Sequence, residues 1–412
     1  MYRSAKIVAV ALLWFGQGLL NAQEFKLLGR TVQVHGFASQ GFVYTNDNNW
    51  LTMDTSDGSG AFTDFGLNLS APITDRLRVG AQVYDRNLGQ LGQYHPSLDW
   101  AVADYRFRNW LGFRGGKVKT RLGLYNDTQD QDFLRVFALL PQSVYPTDLR
   151  DATIAHVGGD IYGNVSLGHS IGDLFYTAYV GHRSDSIYSG IAYLLTEYGI
   201  VGSSYRGLQY GGDLRWNTPA KGLLIGASRL NEDLTDHATI QNPFNPGGGS
   251  IPFVAVSKAD WLNQFYGEYV VRKLRIDAEY RRNLHDEIIN GALLHSIIDA
   301  RGWYVSGAYR VRKRLEAGSY YSRYSITSVA GGPLAPLFGV NQTDTGLPAN
   351  HIYDKVITGR VDLNRFWNVK VEGHFMDGYG TTTYPDGFYP QVNPRGFKPN
   401  TRALVLKTAV YF

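Results

Sequence analysis

One stretch of the chain concentrates side chains able to act on a passing charge. Between Thr120 and Asp151 stand Asp127, Asp130, Asp132, Arg135, Asp148 and Arg150, mixed with the apolar Phe133, Val136, Phe137, Leu139 and Leu140. Charges of both signs at this density attract or repel ions in a narrow space. A second set recurs at alternate residues of extended stretches: Arg78, Arg86, Arg106, Arg114, Lys119, Arg215, Arg275, Arg281, Arg310, Lys370 and Lys407. Set against the loop carboxylates, these cations would make a transverse field that favours anions. Asp64, Asp104, Asp213, Asp277, Glu279 and Glu372 share the same faces, so a salt-bridged lining fits the residues equally well.

Catalysis is less well served. Ser166 and His169 are the nearest nucleophile and base by sequence, but three residues apart on a strand they face opposite ways. The histidines, among them His35, His169, His182 and His374, show no metal-ligand spacing, so neither metal nor cofactor is expected. Tyr84, Tyr105, Tyr125 and Tyr205 read as wall or girdle aromatics rather than a sugar-binding track.

The elements that must position these groups begin after residue 22. Arg3 and Lys6 precede the apolar Ile7–Leu20, and Leu20-Asn21-Ala22 offers a small residue at a cut site. This is the pattern of a cleaved export signal at 1–22. No later run approaches the roughly 18 apolar residues of a membrane helix. The chain has 40 basic and 36 acidic residues, and losing Arg3 and Lys6 leaves 38 against 36, or +2. That balance argues against a nucleic-acid partner. With 47 glycines, 28 tyrosines and no cysteine, stability must come from something other than disulfides.

From 23 to 412 the sequence alternates. Phe65, Leu67, Leu69 and Ala71 oppose Asp64, Gly66, Asn68 and Ser70; Leu274, Ile276, Ala278 and Tyr280 oppose Arg275, Asp277, Glu279 and Arg281. Period two means strands, and charges on every second residue require water on that side. About 16 such stretches occur, each near the length of a tilted bilayer crossing. Short links (Pro72–Arg76, Arg108–Trp110, Arg272) alternate with long ones (Thr120–Asp151, Asn231–Lys258, Ile326–His351, Gly378–Asn400). The fold expected is all-β: a 16-stranded antiparallel transmembrane barrel with short periplasmic turns and long extracellular loops. Within Thr120–Asp151, Gln131–Leu140 reads as a helical turn or two ending at Pro141.

Three segments carry a family resemblance. Ala409-Val410-Tyr411-Phe412 is similar to the C-terminal strand of bacterial outer-membrane proteins. His35-Gly36-Phe37-Ala38-Ser39-Gln40-Gly41-Phe42 is similar to the opening of the porin superfamily. Gly115-Gly116-Lys117-Val118-Lys119-Thr120-Arg121-Leu122-Gly123-Leu124-Tyr125 resembles the strand-to-loop junction of its phosphate-selective-porin-like group, with Arg121-Leu122 where that group carries Pro-Phe. The resemblance implies a 16-stranded outer-membrane barrel, often a homotrimer, whose third loop (120–151) folds inward as a constriction. It implies that Phe412 is read by the barrel-assembly machinery, with outer-membrane lipid and lipopolysaccharide as surroundings. The expected function is passive diffusion of small hydrophilic solutes with a weak lean to anions. The pore-lining candidates are Arg78, Arg106, Arg114, Lys119, Asp127, Asp130, Asp132 and Arg135. A phospholipase-like barrel hydrolase and a structural or adhesive barrel are the alternatives. The first needs an oriented Ser–His pair; the second is commonly a smaller barrel with a filled interior.

Overall fold

A computed structural model describes residues 23–412 except 28, 243–244, 246, 292, 334, 338–340 and 381–386. The expected signal at 1–22, with its cut after Ala22, lies outside the described residues. Sixteen strands form the barrel. They are β1 Arg30–Thr45, β2 Ser59–Pro72, β3 Leu77–Leu88, β4 Ser97–Arg108, β5 Leu111–Lys119, β6 Ala155–Ser166, β7 Asp173–Ser184 and β8 Tyr205–Asn217. There follow β9 Leu223–Gln241, β10 Ser250–Val271, β11 Leu274–Ile289, β12 Leu294–Arg312, β13 Leu315–Gly331, β14 His351–Asn364, β15 Trp367–Asp377 and β16 Asn400–Tyr411. Each pairs antiparallel with the next, and β16 returns to β1 from Ala403↔Thr45 to Tyr411↔Phe37. The ring is closed. A short strand, Gln23–Leu27, folds back on Arg30–Val34 beneath the last strand.

Closure follows from the sequence's two-sided chemistry. Outward residues are large and apolar: Phe65, Leu67, Leu69, Val180, Leu214, Phe265, Ile357 and Leu406 are exposed. Inward residues are polar and buried: Gln82, Gln264, Glu279, Lys370, Glu372 and His374. This inverts a soluble core and suits a barrel in lipid, where every backbone donor and acceptor must be met inside the sheet.

The wall is uneven. Sequence alternation placed a long loop at Asn231–Lys258; the structure instead carries β9 on to Gln241 and starts β10 at Ser250, and only 290–293 lie between β11 and β12. Bulges at Glu232/Leu234 and Ser257/Trp261 accommodate the extension. The strands β9–β13 therefore rise well past the others on the loop side. The helical turns expected within Gln131–Leu140 reduce to one 3-10 turn at Asp132–Leu134. The one α-helix among the described residues is Gly190–Leu195, in the β7–β8 loop, where the Ser189 hydroxyl accepts from the Ala192 N–H.

The closing seam is tight at the C-terminus. Gly36 and Phe412 exchange backbone hydrogen bonds of 3.2 and 2.9 Å. The Phe412 ring lies over Gly36, where a Cβ would meet it at 2.7 Å. Deleting Phe412 should lower the heat-modifiable folded fraction recovered from outer membranes, and Gly36→Val should do the same by displacing the ring. Unchanged band shifts on electrophoresis for both would remove this seam from the assembly account.

Candidate constriction site

The segment from Thr120 to Ile154 leaves β5 and enters the barrel instead of standing outside it. Gly123 makes the entry possible: its φ of +63° is left-handed, and a Cβ there would fall within 2.0–2.5 Å of Gln264, Glu279 and Tyr145. Its N–H donates to Ser228 Oγ at 2.9 Å, and its carbonyl accepts from Arg215 at 3.1 Å. The loop then crosses to β12, where Gly302 presses on the Ser143 carbonyl so closely that a Cβ would sit 1.8 Å away.

Three groups of wall residues hold it. On β11, Glu279 accepts from Tyr145 Oη (2.8 Å), Tyr304 Oη (2.6 Å), Gln264 Nε2 (2.7 Å) and the Leu124 N–H (3.1 Å). Asp277 accepts from Tyr125 Oη at 2.6 Å, and Arg281 donates to the Val144 carbonyl at 2.7 Å. On β14–β16, Glu372 accepts the N–H groups of Ala138 and Leu139 (2.9 and 3.2 Å). Lys370 donates to the carbonyls of Asp132 and Phe137, and Arg360 to those of Phe133 and Arg135. Phe133 stacks on Tyr411 at 4.3 Å. On β3–β5, Lys119 and Gln82 bind the Asp130 carboxylate at 2.7 and 2.6 Å, and Arg86 donates to the Thr147 carbonyl at 2.7 Å. Asp99 ion-pairs with Arg150 at 2.8 Å.

The sequence-derived candidates fall into two places. Lys119, Asp127, Asp130, Asp132 and Arg135 gather at the loop. Asp127 pairs with Arg121 at 2.7 Å. Asp132 pairs with Lys407 at 3.1 Å and Lys370 at 3.8 Å. Arg135 donates to the Thr128 and Gln129 carbonyls, bracing the loop's own backbone. Arg78, Arg106 and Arg114 do not face these carboxylates. They stand near the turn end, Arg78 on Ser70 Oγ at 2.7 Å and Arg114 on Asp160 at 2.7 Å. The reason is depth: strand residues close to the turns sit below a loop that enters from the opposite rim. Tyr105 faces outward and Tyr84 inward, the latter donating to Asp64 at 2.6 Å. Ser166 ends β6 and His169 lies in the turn after it. Among the described residues no cluster of His, Asp and Glu suits a metal ion.

Gln82, Asp99, Gln264 and Arg360 were not among the candidates. Gln82 and Arg360 sit at inward positions of regular alternation, so parity could have found them. Asp99 could not be found that way. A bulge at Gln82/Val83 turns both Asp99 and Trp100 inward, breaking the period.

Two cavities flank the loop. The one toward the turns measures about 620 Å³ and is lined by Arg106, Arg114, Arg121 and Arg215 with Asp104 and Asp213. The one toward the loops is about 100 Å³ and includes Arg183, Glu232, Asp260, Leu262, Arg281 and His285. Leu122, next to Arg121, is packed in a buried apolar cluster with Tyr179, Leu230 and Leu262. Within the loop, Asp148 accepts from Tyr389 Oη (2.7 Å) and the Gly387 N–H (3.1 Å), tying it to the last long loop.

Comparison with known proteins gives fold and nothing finer. No family model matches the sequence, and no curated protein matches it. Among solved structures, OmpT, an outer membrane protein of Vibrio cholerae, superposes with a TM-score of 0.56 at 13% identity, over 95% of this chain and 100% of that one; OmpT has also been solved in a trimer form. The anion-selective porin from Comamonas acidovorans gives 0.51 at 10% identity over 93% and 100% of the two chains. The outer membrane channel DcaP of Acinetobacter baumannii gives 0.50 at 13% over 94% and 99%. The chain thus has the 16-stranded fold of the outer-membrane porins; the phosphate-selective subgroup is not singled out by these likenesses.

The loop's acid sensitivity follows from Asp132. Burial pushes its carboxyl up, but Lys370, Lys407 and Arg135 outweigh burial and hold it at about 2, below its ordinary 3.8. A depressed carboxyl stabilises the folded state above the ordinary value, and that contribution, about 2 kcal/mol, is lost as pH falls through about 2. Hydrogen exchange over 133–140, corrected for intrinsic rate, should stay slow down to about pH 4 and accelerate below it. Asp132→Asn should exchange fast at pH 7 and show no acid step.

Proposed function

We propose that this chain is a passive diffusion porin of the bacterial outer membrane, admitting small hydrophilic solutes with a weak lean to anions and doing no catalysis. The observation that carries the reading is the interior loop: a closed, polar-lined barrel is crossed by one segment braced on wall residues from β3 round to β16. A barrel of this size otherwise leaves a wide aqueous channel, so such a loop sets the size limit. Where solutes pass a narrow, water-poor space, single charges act strongly. The fold likeness to an anion-selective porin and to an outer membrane channel supports the reading.

The lean to anions rests on the turn-side cavity. Four guanidinium groups line it against two carboxylates. Arg114 and Arg121 are engaged by Asp160 and Asp127, which keeps the preference weak. In this reading Leu122, packed on the wall, separates the cavity lined by Arg121 from the one lined by Leu262. The trimer form of OmpT supports a trimeric assembly here as well.

Single-channel recording under a salt gradient tests all of this. Leu122→Ala, and separately shortening 127–140, should raise conductance. Replacing Arg106 and Arg114, which line this cavity, together by Gln should move the reversal potential toward cations while the channel still conducts. A closed wild-type barrel, or loop and arginine variants indistinguishable from it, would overturn the assignment.

A further inference from the structure

The lipid-facing surface carries charges that an apolar belt should not. On adjacent strands β9 to β12, Arg229, Asn263, Arg282 and Arg301 lie side by side in one register row: Arg229↔Asn263, Asn263↔Arg282, Arg282↔Arg301. Strands stand about 4.8 Å apart, so the row spans three such steps. All four share parity with the exposed Ile225, Phe265, Ile276, Tyr280 and Val305, so they face outward, away from the lumen. Those apolar residues lie on the turn side of the row. The row therefore sits at the loop-side edge of the lipid belt, where β9–β13 begin to rise above the rest of the barrel.

Its contacts order the arginines without neutralising them. Trp261 is flanked by two guanidinium groups, Arg229 at 5.5 Å and Arg282 at 5.4 Å from its ring. Arg229 is further fixed by Asn231 Oδ1 (3.0 Å) and Asn263 Oδ1 (3.1 Å). Arg282 forks onto both carboxylate oxygens of Asp299 (3.0 and 2.9 Å), and Arg301 reaches the same carboxylate at 2.7 Å. The row thus carries three cations and one carboxylate, which only Arg282 and Arg301 touch. The neighbouring outward acids are engaged elsewhere: Asp233 with the Ala259 N–H and Asp286 with His295. Each guanidinium has five N–H donors in a planar fork, and these bonds use fewer than half of them. Beyond the row, Arg323 lies 3.9 Å from the Tyr353 ring on the same outer face.

We propose that this row is a binding site for the phosphate of a phosphorylated membrane lipid in the leaflet on the loop side. A net positive patch at a lipid boundary is costly unless an anion covers it. Arginine's fork matches phosphate oxygens two at a time. A molecule that carries both phosphate and acyl chains satisfies the row and the adjoining Phe265, Ile276 and Val305 together; free phosphate would satisfy the row alone. Trp261 holds the level, as interfacial tryptophans do.

The test uses the folded, delipidated barrel in detergent, with native mass spectrometry reading bound lipid. The probes are bisphosphorylated lipid A, the same lipid with both phosphates removed, and inorganic phosphate as competitor. Wild type should hold the phosphorylated form at least roughly tenfold more tightly than the dephosphorylated one. Arg229→Gln, Arg282→Gln and Arg301→Gln combined should lose about that factor. Asp299→Asn, which removes the competing anion, should bind more tightly than wild type; it carries the test if the triple variant fails to fold. Equal binding of the two lipids, or weaker binding by Asp299→Asn, would overturn the proposal. So would displacement by millimolar inorganic phosphate, which would mark a site for the free anion. None of these readings depends on whether the lumen conducts.

Discussion

A peptide group inside lipid has no water to bond, and the rest of this structure depends on that constraint. Each strand must give its N–H and C=O groups to neighbours on both sides, so the sheet can have no edge. The seam between β16 and β1 is where the requirement is finally met, with Phe412 and Gly36 as its last bonded pair and Gln23–Leu27 covering Arg30–Val34 below. Once the ring is closed, each strand has a lipid face and an enclosed face, and the alternation of apolar and charged residues has one arrangement that avoids burying charge in lipid.

The same rule governs the loop inside. A segment that leaves the sheet and enters a confined space must also have its backbone groups satisfied, and here inward charged residues do it. Glu372 takes two N–H groups, Lys370 and Arg360 take two carbonyls each, and Arg281, Arg86 and Arg215 take one apiece. Much of the wall's charge is therefore spent on positioning the loop rather than on solutes. What remains toward solvent is the set of arginines near the turns.

The outside and the inside are linked through β9–β12. Arg229, Arg282 and Arg301 alternate along these strands with Ser228, Leu230, Arg281, Asn283, Ala300 and Gly302, which face the lumen. Gly302, which admits the loop at Ser143, is thus the chain neighbour of Arg301 in the outer row. One set of tall strands carries both the loop's far abutment and the charged outer edge.

Read alone, the sequence determined the barrel. Period-two alternation at Phe65–Ala71 or Leu274–Arg281 is a local property, since side chains of a strand must point alternately to its two faces whatever lies nearby. Strand number and the polarity of the lumen were legible for that reason; the inward loop and the role of Phe412 entered only as what the family resemblance implies. Where both faces turn polar, as at Asp233–His237, the signal vanishes, so the extension of β9 went unseen. Where a bulge doubles a position, as at Asp99, parity misleads. Which charges meet was decided only by the tertiary structure. Asp132 lies far in sequence from Lys370 and Lys407, and Arg229, Arg282 and Arg301 become one row only through strand register. Such pairings depend on closure and on the depth at which the loop enters, and neither is written in the spacing of residues along the chain.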